Sequence, residues 1–240
     1  MMKTNEQAHQ FNDVLMLGSW FSTIPNELRV LLLDSATIVH YRAEQPIFSY
    51  GDSTHGLYGV IRGGVSIGRH SEHGKEALLT LIEPPNWFGE ITLFDRMQRT
   101  HNAHAVGETT LILINGEALD EILDAEPRYW QSFGLLLTSK VRILLDHAED
   151  LAFLSTSQRL AKRLVLIAES YGGWKDRSHR VIKIQQEQLA MMLFITRQTT
   201  NQILKELARL QLISLAYGAV EIIDLEKLRA YAAASVNDIG

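Results

Sequence analysis

Between about Thr37 and Ile114, apolar and polar residues alternate in short runs: Ile38–Arg42, Pro46–Tyr50, Gly56–Arg62, Gly64–Arg69, Ala77–Ile82 and Thr110–Ile114. Turn-formers separate the runs, at Gly51-Asp52, Gly63-Gly64, His73-Gly74-Lys75, Pro84-Pro85-Asn86 and Arg96–Arg99. Successive strand residues face opposite ways, so a period of two broken at short intervals predicts a β-sandwich or barrel. A short helix is expected before it, opened by Ser22–Glu27 with Pro25 in the first turn and striped by Leu28, Leu31 and Leu32. From Pro127 to Leu154 the period becomes helical, with Phe133, Leu136, Leu137, Val141, Leu144, Ala148 and Leu151 at three- and four-residue intervals. At 1.5 Å per residue such a helix runs about 40 Å, more than one small domain needs. Its stripe is therefore expected to face the barrel on one side and a second copy of itself on the other, the plainer alternative being a single core helix.

The next amphipathic helix is expected over Ser157–Tyr171, ending at Gly172-Gly173, followed by an edge strand at Arg180–Ile184. Residues 185–210 carry two helical registers joined by a tight turn. The first, from about Gln185 to Leu193, buries Leu189, Ala190 and Leu193, with Ala190 small enough for close helix approach. The second is capped by Thr196 and buries Thr200, Ile203, Leu204 and Leu207. Arg197, Gln198, Thr199, Asn201 and Gln202 are left on its exposed side, and these are side-chain types that read base edges in the major groove. A helix-turn-helix with such a leading turn points to double-stranded DNA, against the plainer reading of a helical hairpin with a polar surface. Ile213–Ala216 and Val220–Ile223 around Tyr217-Gly218-Ala219 read as a hairpin wing, and Asp224 as the cap of a last helix to about Ala233.

Charge sharpens this picture. The chain of 240 residues has net charge −5, which argues against a surface coated for DNA. From Arg177 to Arg209, however, Arg177, Arg180, Lys183, Arg197, Lys205 and Arg209 stand against only Glu187 and Glu206, a positive field local to the reading head. Lys183 and Lys205 are the expected phosphate contacts. There are no cysteines, which excludes disulfides and Cys-ligated zinc or iron–sulfur clusters and fits a reducing cytoplasm. No apolar run approaches 18 residues and the first residues lack an apolar signal core, so neither a membrane span nor export is expected.

Several segments resemble the Crp/Fnr family of bacterial transcription regulators. These are Gly56–Val65 with its turn at Gly63, Trp87-Phe88-Gly89-Glu90-Ile91-Thr92-Leu93-Phe94, Leu151-Ala152-Phe153-Leu154, Thr196-Arg197-Gln198-Thr199 and Leu212-Ile213. The resemblance covers about residues 20–225 and implies an α+β chain in three parts. A jelly-roll-like, double-stranded β-roll sensor of the cyclic-nucleotide-binding type would occupy 1–126, a dimerisation helix 127–155 and a winged helix-turn-helix 156–240. It implies a homodimer on a DNA operator, with RNA polymerase as a further partner and a small-molecule effector possible in the β-roll. Gln198 stands where the family has Glu, which shifts the expected base preference from cytosine toward adenine. Phe194 stands in the turn where a glycine is common, so a different turn geometry is expected.

The resemblance also places an effector site at Gly89, Glu90 and Ile91, with the segment Arg99, Thr100, His101 and Asn102 and, on the long helix, Leu144 and Leu145. The family's phosphate-pairing Arg falls on Thr100 counting forward from Gly89, and on His101 counting back from Thr109. Arg99-Thr100 supplies the pair only if the loop Asp95–Gln98 is rearranged. Leu144 and Leu145 replace the polar groups that meet the purine in cAMP sensors, which disfavours cAMP. Glu90 has a plainer reading, as a carboxylate capping the short helix that follows it. Haem or another metal at histidine is not expected. His101 and His104 point to opposite faces of a strand, and His70 and His73 flank a loop. A cupin-like β-roll enzyme is the alternative of another class, but no His-x-His pair occurs and the basic helix pair would be unexplained. The reading is of a non-enzymatic regulator.

Overall fold

The computed structural model describes residues 8–70, 76–169, 181–182, 184–216 and 218–234. They form two compact units: the first holds the described residues up to 69 and from 80 to 141, and the second holds 70, the start of the fourth strand at 76–79 and the described residues from 142 on, so the long helix is divided between Val141 and Arg142.

The first unit opens with helices α1 (Asn12–Met16) and α2 (Asn26–Asp34). Leu28, Leu32 and Leu33 of α2 are buried, while Leu31, expected in that stripe, faces solvent. The strands are β1 (Thr37–Tyr41), β2 (Pro46–Phe48), β3 (Gly56–His70), β4 (Glu76–Ile82), β5 (Trp87–Phe88) and β6 (Asn102–Asn115). They make one sheet in the order β1-β6-β3-β4, with β2 pairing β6 and β5 pairing β3.

Two expected strands, Gly56–Arg62 and Gly64–Arg69, are one 15-residue strand. The Gly63-Gly64 break is instead a pair of register shifts against β6, between Val60 and Arg62 and between Arg62 and Gly64. Gly63 sits there at φ 79°, and a Cβ on it would come within 2.5 Å of the Glu108 carbonyl oxygen. Only glycine passes the chain through so close a kink without displacing β6.

The period of two sorts the sheet's side chains between two cores. Leu57, Ile61, Ile112 and Ile114 join Leu15, Phe21, Leu28, Leu32, Trp87 and Phe133 under the helices. Tyr58, Val60, Val65 and Leu111 turn the other way and pack with Phe48, Phe88 and Ala103 inside the roll.

After β6 come α3's successors in chain order, α3 itself being the short helix Ile91–Asp95 between β5 and β6. Helix α4 (Gly116–Ala125) is capped by Asn115, whose side chain accepts from the Ala118 N–H. A 3-10 turn at Pro127–Tyr129 leads into the long helix α5 (Trp130–Phe153). Phe133 is fully buried against Trp20, and the Trp20 indole N–H donates to the Ser132 carbonyl at 2.7 Å. Phe133 therefore finds its packing within its own unit rather than awaiting a second copy.

The second unit centres on α6 (Thr156–Ala168), whose first turn closes in a reciprocal capping box between Ser155 and Gln158. Leu160, Ala161, Leu164 and Ala168 are fully buried. Strand β7 (Val181–Ile182), helices α7 (Gln186–Leu193) and α8 (Arg197–Arg209), strands β8 (Ile213–Ala216) and β9 (Ala219–Ile222) and helix α9 (Leu225–Ala233) follow. The three strands form a sheet in the order β7-β9-β8. Asp224 caps α9 by accepting from the Lys227 N–H at 3.0 Å. The expected turn at Gly172-Gly173, the loop at His73 and the basic residues Arg177, Arg180 and Lys183 lie outside the described residues. No described helix is long and apolar enough to cross a membrane.

Candidate functional site

The helix pair α7–α8 is built from short-range signals. Gln185 and Gln188 close a capping box at the start of α7. Thr196 accepts the Thr199 N–H at 3.0 Å and opens α8. Thr200, Ile203, Leu204 and Leu207 are buried, as the periodicity predicts, and Ala190 is buried where the helices meet. The turn between them places Phe194 at φ 55°, ψ 39°. It adopts the left-handed conformation a glycine would take, so the expected departure in turn geometry is absent.

The side chains named for base reading fall into two sets. Arg197, Gln198 and Gln202 are exposed on the leading turns, and Lys205 and Arg209 are exposed further along. Thr199 and Asn201 are half-buried and already engaged. The Thr199 hydroxyl lies 2.8 Å from that of Thr196, and the Asn201 amide donates to the Gln186 side-chain oxygen at 2.9 Å. Gln186 was not singled out in the sequence, because only the tertiary approach of α7 and α8 brings it to Asn201. The effect is to lock α8's second turn to the start of α7.

In the first unit, Gly89, Glu90 and Arg99 come together on the roll's interior side. Gly89 has φ 97°, and a Cβ there would lie 2.6 Å from the Gly56 carbonyl oxygen and 3.1 Å from an Arg99 guanidinium nitrogen. The loop before Arg99 is turned by Arg96, which sits in the left-handed region at φ 56°. Backbone bonds then pin Arg99 to the opposite loop: its N–H donates to the Asp52 carbonyl at 2.8 Å, and its carbonyl accepts from Gly51 at 2.9 Å. The buried guanidinium donates to the carbonyls of Gly89 and Gly56, at 3.0 and 3.1 Å, and lies 4.3 Å from the Phe48 ring centre. Its Nε has no hydrogen-bond partner. Burial lowers the pKa of this group, opposed by Tyr58, Glu90 and Asp52. Among the described residues no carboxylate pairs with it at contact distance, and a cation so placed in a low-dielectric interior favours an anion beside it.

Glu90 departs from its plainer reading. It makes no capping hydrogen bond to the Ile91–Asp95 helix. Its carboxylate, 2% exposed, pairs with Lys140 of α5 at 2.6 Å, and the same ammonium donates to the Trp87 carbonyl at 2.8 Å. Lys140 escaped the sequence reading, since nothing local to residue 140 marks it as the partner of residue 90.

Ile91 and Thr100 are exposed, and the Thr100 hydroxyl sits 2.9 Å from His101 Nδ1. Burial, then the Arg69 charge, depress the His101 pKa. The Asn102 side chain accepts from the Tyr50 N–H at 2.7 Å, fixing the roll's rim. Leu144 and Leu145, placed with these residues in the sequence reading, belong to the other unit and are exposed there. Among the described residues no three His, Asp or Glu side chains converge as a metal site.

Comparison with known proteins places these features in context. A family model for the cyclic nucleotide-binding domain matches residues 38–126, and one for the Crp-like helix-turn-helix domain matches residues 158–231. A CRP-like cAMP-activated global transcriptional regulator of Mycobacterium tuberculosis is 31% identical over 218 residues, covering 90% of this chain and 97% of that protein. A cyclic AMP receptor protein of Thermus thermophilus is 28% identical over 183 residues, covering 76% of this chain and 82% of that one. Among solved structures, FixK2 of Bradyrhizobium japonicum matches with a TM-score of 0.72 at 17% identity, over 84% of this chain and 99% of that one. The c-di-GMP-responsive regulator CLP of Xanthomonas campestris matches with a TM-score of 0.65 at 22% identity, over 81% and 97%. At these identities the two structures speak for the fold alone.

Proposed function

Because the chain belongs to the Crp/Fnr family of transcription regulators, we propose that it works as a homodimer that binds a specific double-stranded DNA operator through α8. The observation that carries this reading is the capped leading turn of α8, with Arg197, Gln198 and Gln202 exposed while the opposite face is buried. Arg197 reads a guanine, Gln198 sets a neighbouring base, and Gln202 extends the contact. Thr199 and Asn201 act from their anchored positions, and Lys205 with Lys183 meets phosphates. RNA polymerase is the further partner expected of a regulator that activates.

Footprinting and gel-shift titration over a set of half-site variants test this. Arg197→Ala should relax preference at one position per half-site, an effect of about 1–3 kcal/mol. Lys205→Ala should weaken all sequences alike and lower the salt slope by about one. A uniform loss at every base position on replacing Arg197 would make it a phosphate contact and remove the assignment.

The β-roll site around Gly89, Glu90, Ile91 and Arg99 is proposed to take a small anionic effector other than cAMP, with Thr100, His101 and Asn102 at its rim. The buried Arg99 supports an anion, and cAMP is disfavoured on the family resemblance alone, which sets Leu144 and Leu145 where its cAMP sensors carry polar groups. The second reading is a cAMP-responsive regulator. It is favoured by the inward Arg99, which sits beside Gly89 despite its displaced register. Calorimetry with cAMP and cGMP, followed by gel shifts, separates the two. Binding well above the micromolar range with no change in operator affinity is expected; micromolar cAMP binding that tightens the operator complex about tenfold selects the second reading, since a ligand shifts an equilibrium only by its differential affinity.

A further inference from the structure

The second unit contains a cleft that neither the reading helix nor the β-roll site uses. It encloses about 280 Å³ among the last turns of α5, helix α6, the turn at Phe194 and Leu79 of β4, which belongs to the same unit. That is at the lower edge of the roughly 300–1,000 Å³ of drug-sized ligand pockets, which suits a single ring system or a short chain. Leu151, Leu166 and Met192 give it apolar walls.

Its polar lining is mostly cationic. Arg159, Lys162 and Arg163 line it with the carboxylate of Asp150, which pairs with Lys162 at 2.6 Å. Arg159 makes no ion pair among the described residues; one of its terminal nitrogens donates to the Thr156 hydroxyl at 3.3 Å, and its Nε is buried without a hydrogen-bond partner. His147 Nε2 is likewise buried and unpartnered. Burial, then the Arg163 charge, depress the His147 pKa, so the ring is neutral at pH 7 and can present an N–H. Two buried donors in an apolar-walled cleft, one of them on the Arg159 guanidinium, match a carboxylate carried on an apolar body, which would satisfy both and face that charge.

We propose that this cleft is a ligand site in its own right, for a small organic carboxylate with an apolar body, distinct from the β-roll pocket. The site touches the turn that sets α8: Phe194 lines it, two residues before the Thr196 cap. An occupant would therefore bear directly on the angle between α7 and α8. A dimer partner on the face through Val141 and Leu145 would reach the cleft's edge at Ala148 and leave its polar lining open. At 100° per residue, Val141, Leu145 and Ala152 share one face of α5, while His147 and Asp150 lie on the other side of the helix.

Calorimetry on the full chain with 1-naphthoate as the probe, and 1-naphthylmethylammonium as its cationic counterpart, tests the site. Saturable binding of the carboxylate and none of the ammonium is expected. Arg159→Gln should weaken naphthoate at least fivefold, and Arg159→Lys should retain most of the affinity. Leu166→Trp, which fills the cleft without touching its charges, should abolish binding while the thermal transition persists; it carries the test if Arg159→Gln does not fold. Absence of saturable naphthoate binding, equal binding of the ammonium, or affinity unchanged in Leu166→Trp would overturn the proposal.

Discussion

The ion pair between Glu90 and Lys140 shows what single residues do here that no local pattern announces. Gly89-Glu90 was legible as a motif because its residues are adjacent. Lys140 was not, because only the packing of α5 against the roll brings it within 2.6 Å of the carboxylate. Removing the ammonium leaves a carboxylate that is 2% exposed without its partner. Lys140→Met should therefore destabilise the first unit by about 1–3 kcal/mol, and Glu90→Gln in the same chain should recover most of the loss. Denaturant midpoints of the single and double variants measure this, and additive losses would show that the pair does not act as a unit.

Two histidines extend the argument to pH. His101 and His147 both have pKa values depressed chiefly by burial, so each binds its proton more readily unfolded than folded. Below about pH 6.5, the ordinary histidine value, the unfolded chain takes up protons that the folded chain refuses. Stability should fall there as pH drops, until the folded-state values are passed and the slope ends. Chemical denaturation between pH 7.5 and 5 should show this fall, and His147→Gln should flatten it. A stability that rises on acidification across that window would contradict the depressed values.

Elements were legible where their signals were local. Thr196 with Thr199, the buried set Thr200, Ile203, Leu204 and Leu207, and the Asp224 cap all lie within a few residues of the helix they define. The strands were less so. Gly63-Gly64 reads as a break, yet β3 runs through it, because the kink is held by pairing to β6 some 45 residues away. The turn at Phe194 carries a further cost of its own. A side chain in the left-handed region is disfavoured by about 1–2 kcal/mol, and this ring is 67% exposed, so packing returns little. Phe194→Gly should raise the stability of the second unit by roughly 0.5–1 kcal/mol, the strain relieved less the added freedom of the unfolded chain. A higher thermal midpoint is the expected reading; a fall of comparable size would mean the ring's contacts outweigh the strain.

At the scale of the whole molecule, the proposed homodimer would set a second copy against the exposed apolar part of the long helix. Phe133 and Leu136 are buried within the first unit, and Leu144, 64% exposed, borders the cleft. The unpartnered face runs through Thr138, Val141, Leu145, Ala148 and Ala152, all exposed and spaced alternately three and four residues apart. That is the spacing of a coiled-coil seam, in which two helices interlock and small residues such as Ala148 and Ala152 allow close approach. The stripe read from periodicity shares Val141 and Ala148 with this face; Phe133 and Leu136 are buried in the chain's own core, while Val141, Leu144, Leu145 and Leu151 are exposed and open to a second copy on the homodimer reading. A two-fold seam would present two α8 helices to half-sites one helical turn of DNA apart, about 34 Å. Leu145→Asp places a charge in the middle of this seam, where pairing would set two carboxylates face to face. Sedimentation should show the unmodified chain as a dimer at micromolar concentration and Leu145→Asp as a monomer. The monomer should keep its thermal transition and lose at least tenfold in operator affinity, because each half-site is then bound without the gain from linking two reading heads. An unmodified chain that sediments as a monomer at that concentration would remove the seam and, with it, the two-headed reading of the operator.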